Sequence, residues 1–504
     1  MPVAAAGRRA PELLWERRAR AWPWRFCSRE DDGDDAGGVH DHPRTSVLGV
    51  VWVRLVFSVV RRSLHFFLAC ALVSASAGLA HAGTFELFGV HPVGLAEAST
   101  RTAAADDGSA CFYNPGGLGL GHGYQLELSG LGMVSRLEVQ DERRDIDDPS
   151  SGTFTVGSAV PLEGMLRDRI RVGVAVHALP DRLMRLKTRS QSTPFFPYYD
   201  NRSQRLAVIP ALALRLAQGF GVGVGVNALA GVQGPLDVRE GQSRTLETRI
   251  AQEAGTVARW IVGVRVDPTD TLHLGAVFRQ SFGVPLTVST TADVAGVPLS
   301  VDVSTVEALF DPTTVVVGGR FEPSDRWSIG LDATYQRWSS WNGPLLQVDT
   351  TVSALSLVSK PPKDLFQDVY GARVAVAWQV VHTADNELAL HLGAGFETSM
   401  LDASKQQGRS NFVDGPKMIL GTGLSARWPG AVGQALRLGL GVQMHRVARF
   451  EQDKIACTQL PCPATTVVGP NTANLSEDID NPGYPSLSGG GTVFAASVGV
   501  GVEL

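Results

Sequence analysis

From residue 123 onward the chain alternates apolar and polar positions with a period of two. In Arg326–Arg337, Trp327, Ile329, Leu331, Ala333 and Tyr335 share one face, while Ser328, Gly330, Asp332, Thr334 and Gln336 share the other. Ala435–His445 and Glu387–Glu397 repeat the design. Strict alternation over ten or so residues predicts a strand with one apolar and one polar face. Fourteen such segments lie near 123–139, 152–160, 168–178, 203–216, 219–231, 255–266, 271–281, 313–322, 326–337, 367–380, 387–398, 415–427, 435–447 and 491–503. Many run to the ~9–11 residues of a tilted membrane-crossing strand, well above the ~5–6 common in soluble proteins.

The connections alternate as well. Short turns are expected at Ala217-Gln218, Asp267–Asp270 and Pro323–Asp325, and near Pro161–Arg167, Val381–Asn386 and Pro429–Gln434. The stretches 179–202, 232–254, 282–312, 338–366, 399–414 and 448–490 are long. Outer-membrane barrels have short periplasmic turns and long extracellular loops. An even strand count closes the ring and leaves no unpaired edge, as lipid requires. The fold class expected is therefore all-β: a 14-stranded antiparallel transmembrane β-barrel over 123–504. Its glycine, serine and isolated Arg or His face would line the lumen. Trp260, Phe278, Trp327, Tyr335, Trp338 and Trp341 would form the interfacial girdles. Leu504 stands on the lipid-facing phase, where such barrels usually end in an aromatic residue.

Composition narrows the alternatives. Of the 504 residues, 19% are charged, below the ~25% of a typical soluble protein. The 55 glycines come without a collagen repeat. Mean hydropathy is +0.03, too low for a polytopic helical membrane protein. A net charge of −5 supports no nucleic-acid footprint, which needs a basic domain or stripe.

Ahead of the barrel, Arg61-Arg62, the apolar run Leu64–Val73 and Ala80-His81-Ala82 spell a secretory signal peptide over 61–82, cut after Ala82. Residues 1–60 are expected to be a wrongly assigned start or a disordered extension, the alternative being a cytoplasmic extension with a signal anchor. Cys111, Cys457 and Cys462 survive cleavage. Cys457 and Cys462, five apart around Pro461, read as a loop-closing disulfide outside the cytoplasm; a metal site would need more ligands. Residues 83–122 are too small and polar to build a core, so they must form a tail or a plug in the lumen. Asn114-Pro115-Gly116 has turn chemistry, and a plug would explain a glycine-lined inner face, where another backbone can approach closely.

Here the chain resembles the FadL-type long-chain fatty-acid and hydrocarbon transporters of Gram-negative outer membranes. An acidic, alanine-rich run from Ala105 leads into Asn114-Pro115-Gly116-Gly117-Leu118 ahead of a barrel. In that family the turn reads Asn-Pro-Ala-Gly-Leu, so Gly116 departs from the usual Ala. Val262-Gly263-Val264, Pro268-Thr269-Asp270, Leu274–Arg279, Gly318-Gly319-Arg320, Pro323–Trp327 and Arg337-Trp338-Ser339 extend the likeness over the mature chain. The resemblance implies a fourteen-stranded barrel closed by an N-terminal hatch over 83–122. A hydrophobic ligand would enter among the loops and reach a greasy pocket beside the hatch. It would then leave sideways at the third strand, here Asp168–Ala178, where Gly173 and Pro180 would permit a kink.

Three groups are candidate sites. Asn114, Pro115, Gly116 and Gly117 are a gate hinge or a purely structural turn. Lumen-facing Arg171, Arg265, Arg279, Arg437, His273 and His391 either hold a ligand carboxylate, which needs a charge-assisted partner when buried, or bond the hatch. The loop aromatics Phe195, Phe196, Tyr198 and Tyr199 would form an exposed landing patch, the kind of cluster that marks interaction sites. No Gly-x-Ser-x-Gly elbow, His-Glu-x-x-His pair or phosphate loop is present, and no catalytic residue, metal or cofactor is expected. His445 is the sole hint of hydrolase chemistry. The expected function is passive, hatch-gated uptake of long-chain fatty acids or other hydrophobic small molecules. A structural or adhesive barrel and an outer-membrane lipid hydrolase are the alternatives. Expected partners are the hydrophobic ligand, outer-membrane lipid and the outer-membrane assembly machinery, with no nucleic acid, around a monomer.

Overall fold

A computed structural model describes residues 85–140, 142–143, 153–161, 169–178, 193–202, 206–233, 236–240, 246–250, 253–294, 297–344, 346–350, 357–359, 364–383, 386–406, 410–430, 434–454, 465–467 and 484–504. Residues 1–82, Pro180, Cys457 and Cys462 lie outside this set, and Cys111 is a buried free thiol. The wall strands are β1 (Gln125–Val139), β2 (Thr153–Pro161), β3 (Ile170–Ala178), β4 (Ala207–Ala217), β5 (Phe220–Gln233), β6 (Glu253–Thr269) and β7 (Leu272–Arg279). They continue as β8 (Thr313–Ser324), β9 (Trp327–Arg337), β10 (Val369–His382), β11 (Glu387–Glu397), β12 (Lys417–Pro429), β13 (Ala435–Asp453) and β14 (Ser486–Glu503).

Each strand pairs antiparallel with its chain neighbour, and β1 pairs with both β2 and β14. The sheet has 15 strands counting the two-residue return Glu142–Arg143 on β1; the other fourteen form the closed ring. Closure follows from the alternation. In β9, Trp327, Ile329 and Leu331 are exposed outward, while Asp332, Thr334 and Gln336 are buried inward. Trp260, Phe278 and Trp327 stand on the outer face as expected. No helix among the described residues is long and apolar enough to cross a membrane. Leu504 is exposed, and its backbone pairs with Tyr124 at 2.8 and 3.0 Å, fastening the end of the ring.

Several expectations need correction. Trp338 and Trp341 are buried in an aromatic cluster with Phe310 and Phe366 rather than set in a girdle. They follow β9 in a 3-10 turn that folds inward over the lumen. Gly173 does not kink β3, whose ladders to β2 and β4 run through it without a shift. The turn after β4 is Gln218-Gly219, with Gly219 at φ 72°, one residue later than expected. The long connections also carry strands of their own. Phe282–Val294 and Val297–Asp311 form a hairpin that joins Leu346–Thr350, Leu357–Ser359 and Thr465–Val467 in a 5-stranded sheet. Runs such as Thr287-Val288-Ser289-Thr290-Thr291 are β-branched and favour that conformation.

Inside the ring runs the segment from Phe85 to His122. Its short helices are α1 (Phe85–Phe88), α2 (Pro92–Ala96), α3 (Ala110–Tyr113) and α4 (Pro115–Leu118). α2 packs on β11–β14 and α4 on β3–β7, so the segment spans the lumen. Wall glycines make this possible. A Cβ at Gly223 would stand 2.3 Å from the Pro115 carbonyl carbon, and one at Gly441 would stand 2.1 Å from the Pro92 oxygen. Only a bare backbone admits a second backbone so close.

Candidate functional site

The turn Asn114–Gly117 sits against β5 and β6. Asn114 is fully buried, and its Oδ1 accepts from the Gly116 amide at 3.0 Å, capping α4. Its Nδ2 donates to Thr102 O at 2.7 Å and to Val264 O of β6 at 2.9 Å, so one side chain ties three backbones together. Pro115 opens α4, where its missing N–H costs nothing. A Cβ on Gly116 would stand 2.8 Å from Val264 Cα, and one on Gly117 would meet Ala105 O at 1.9 Å. The glycine that replaces the usual Ala therefore seats the turn directly on the wall.

A second anchor is Glu97, which the sequence did not single out. Arg320 of β8 lies 3.3 Å from its carboxylate, Arg101 3.6 Å, and His391 of β11 2.9 Å. His391 is held from behind by Ser425 at 2.8 Å. Burial disfavours an ionised Glu97, but Arg320, the His391 hydrogen bond and Arg101 outweigh it and hold the carboxyl well below its usual range. Nearby, Asp332 of β9 accepts from the Thr102 amide at 3.2 Å and its hydroxyl at 2.7 Å. Asp332 was visible on the polar phase of its strand, whereas nothing local distinguishes Glu97 from a solvated acid.

The lumen-facing cations divide by position. Arg171 donates to His122 O and Gly123 O at 3.3 and 2.7 Å. Arg279 donates to Phe112 O and Tyr113 O at 2.8 and 3.1 Å and lies 4.7 Å above the Phe112 ring. Both hold the inner segment. Arg265 and His273 converge on Asp267 at 2.9 and 3.0 Å, and Arg437 pairs with Glu503, all toward the periplasmic turns. Arg279 also meets Arg202 and Arg373 around a small polar chamber of about 50 Å³ beside Tyr113 and Gln336.

The loop aromatics are not an exposed patch. Phe195, Phe196, Tyr198 and Tyr199 are 7%, 1%, 2% and 1% exposed. Tyr198 and Tyr199 lie on α5 (Pro197–Asp200), Phe195 and Phe196 lead into it, and all four belong to one cluster with Phe88, Leu95, Trp338 and Phe412. Burial succeeds because the phenols find polar partners: Tyr198 donates to Glu397 at 2.7 Å, and Tyr199 meets His445 at 3.5 Å. Lys417 lies 3.9 Å from the Tyr198 ring centroid. The quartet forms an aromatic roof over the inner segment.

Two cavities flank that segment. One, about 500 Å³, lies toward the short turns and is lined by Arg101, Asp107, Arg265, Glu322, Arg427 and Arg437 among others. The other, about 560 Å³, is a groove in the outer wall lined by Leu212, Leu214, Val224, Val262, Val264 and Phe278. Gly223 and Gly263 line this groove too, and the Asn114–Gly116 turn presses on the same two glycines from inside. Beside it, the β4–β5 ladder skips Ile209 and Pro210 between Val208↔Ala228 and Ala211↔Gly225; Pro210 has no N–H to donate.

No family model matches the chain. Alkane uptake protein A of Marinobacter nauticus is 23% identical over 415 residues, covering 75% of this chain and 88% of that protein. A FadL homologue from Pseudomonas aeruginosa superimposes with a TM-score of 0.52 at 13% identity, over 82% of this chain and 97% of its own. The toluene transporter TodX of P. putida gives 0.50 at 13% identity, over 83% and 99%. The chain is an outer-membrane β-barrel with the FadL-type fold.

Proposed function

We propose that this barrel takes up hydrophobic small molecules, long-chain fatty acids or hydrocarbons, passively across the outer membrane, with residues 83–122 as the hatch. The observation that carries this reading is the contrast between the two cavities flanking the inner segment. The periplasmic one is charged; the one beside the Asn114–Gly117 turn is apolar and faces lipid. Apolar surface favours an apolar environment by roughly 25 cal/mol per Å², so a greasy molecule reaching the turn gains by leaving sideways into the bilayer. The single-backbone wall at Gly223 and Gly263 and the ladder gap at Pro210 support an exit near β4–β6. The roof of Phe195, Phe196, Tyr198 and Tyr199 would part to admit the ligand, and Arg279 in the polar chamber suits a carboxylate head. The named activities of the similar proteins, alkane uptake and toluene transport, support the class of cargo.

The test is uptake of labelled oleate, and then toluene, by a bacterium lacking its own fatty-acid transporter that expresses residues 83–504 behind a standard signal peptide. Heat-shifted gel mobility confirms insertion. Uptake above the empty vector, lost in Gly223→Leu, supports the reading; an inserted barrel that moves neither compound refutes it.

A further inference from the structure

On the outside of the barrel, at the extracellular ends of β1, β13 and β14, three arginines share one small cavity. Arg136, Arg446 and Arg449 line a notch of about 240 Å³ with Glu138, Thr492 and Gly489–Gly491. The ladders explain the convergence. Arg136 of β1 and Arg446 of β13 are both in register with Thr492 of β14, so the two guanidinium groups flank one strand on its outer face. A register shift between Val447 and Phe450 leaves Ala448 and Arg449 exposed in succession, turning Arg449 to the same side. The notch itself is glycine-built. Gly490 and Gly491 have φ of 157° and 140°, and a Cβ at Gly491 would stand 2.3 Å from Arg136 O.

The charges are poorly balanced. Among the described residues Arg136 has no ion-pair partner, and Arg446 donates only to Thr492 Oγ1 at 3.0 Å. Glu138 is the one carboxylate in the lining, beside Arg136 and Arg446. Position gives the cluster its meaning. One step down the same strands, Val134 and Phe494 are exposed on the lipid-facing band. With the short turns periplasmic, the arginines stand where that band meets the headgroups of the outer leaflet.

We propose that this notch binds a phosphate of the phosphorylated glycolipid that forms the outer leaflet. A guanidinium fork matches phosphate geometry bidentately, and basic pockets at the membrane interface select anionic headgroups. The glycines let the headgroup approach the wall while its acyl chains lie along Val134 and Phe494. The site is independent of the transport pathway, so it stands or falls apart from it.

The mature barrel in detergent is incubated with bis-phosphorylated lipid A, with the dephosphorylated lipid, or with inorganic phosphate, and bound species are counted by native mass spectrometry. The wild type is expected to retain bis-phosphorylated lipid A. The Arg136→Gln/Arg446→Gln/Arg449→Gln variant loses it about tenfold or more, in line with the worth of charge-assisted phosphate contacts. Arg326→Gln, an exposed arginine at a periplasmic turn, leaves retention unchanged. Should the triple variant fail the heat-shift test, Arg136→Gln alone is expected to weaken retention measurably, because among the described residues its side chain makes no ion pair. Equal retention by the variants, equal retention of the dephosphorylated lipid, or tight inorganic phosphate binding without lipid would each overturn the proposal.

Discussion

Strand β9 and the segment Gly89–Thr102 are similar in length and hold themselves together in opposite ways. The residues of β9 from Ile329 to Gln336 all have a neighbour in two ladders, and the strand's side chains sort by parity alone: odd positions to lipid, even positions to the lumen. Gly89–Thr102 has one short helix, α2, and three non-glycine residues at positive φ: His91 at 72°, Ala98 at 51° and Ser99 at 64°. Such conformations cost energy and persist where the surroundings over-determine them. Here the surroundings are a buried carboxylate with two guanidinium partners and an imidazole, a ring of wall glycines and a few side-chain hydrogen bonds. A wall built that way would fail, because lipid offers no partner for an unpaired amide.

The comparison can be broken at several points, and the largest effect is expected at Glu97. Glu97→Gln keeps one acceptor oxygen but removes the buried negative charge that Arg320 and Arg101 share, and should cost the inner segment about 3–5 kcal/mol, as breaking buried ion pairs does. Hydrogen exchange should rise over 85–122 while the strands stay protected. Asn114→Ala removes three hydrogen bonds at about 1 kcal/mol each, and the added exchange should centre on 102–118. Gly223→Ala should cost about 1–3 kcal/mol by overpacking against Pro115. Gly132→Ala, which meets nothing within 4 Å, should change stability by less than about 0.5 kcal/mol. Equal effects at the two glycines would erase the distinction between lining and lipid face.

A pH effect is expected as well. Burial, opposed by Asp107, lowers His91 from 6.5 to about 4, so it stays neutral in the folded segment. A group with a depressed pKa stabilises the fold above its unfolded value and loses that contribution as pH falls toward the folded one. Exchange over 85–105 should therefore rise between pH 6.5 and pH 4. In His91→Asn, whose amide can still cap α2, it should stay flat. One effect has the opposite sign: Ala98→Gly relieves a left-handed residue and should slow local opening, by about 1 kcal/mol or less.

The wall was legible because period two is a local signal. Thirteen neighbour pairings and the closure follow from alternation, turn length and an even count, and even Asp332 could be assigned to the lumen from its phase in Arg326–Arg337. Asn114-Pro115 could be read as a turn from composition. The inner contacts could not. Glu97 meets Arg320 and His391 across separations of 223 and 294 residues, and no local pattern encodes such a meeting. The aromatic quartet misled for a related reason. Phe195-Phe196-Pro197-Tyr198-Tyr199 looks exposed when its partners Glu397, His445 and Lys417 are far away in sequence. Trp338 and Trp341 look like girdle residues until the chain is seen to fold inward after β9.

Whether the inner segment gates the barrel is tested most directly by locking it to the wall. Thr102 and Asp332 touch across that boundary at 2.7 Å, so a Thr102→Cys/Asp332→Cys pair can be joined by oxidation in the inserted barrel. Uptake of labelled oleate by cells carrying this variant is measured before and after reduction, with the crosslink followed on gels. Gating by the segment predicts uptake that is lost on oxidation and recovered on reduction. Undiminished uptake through a fully crosslinked barrel would contradict it.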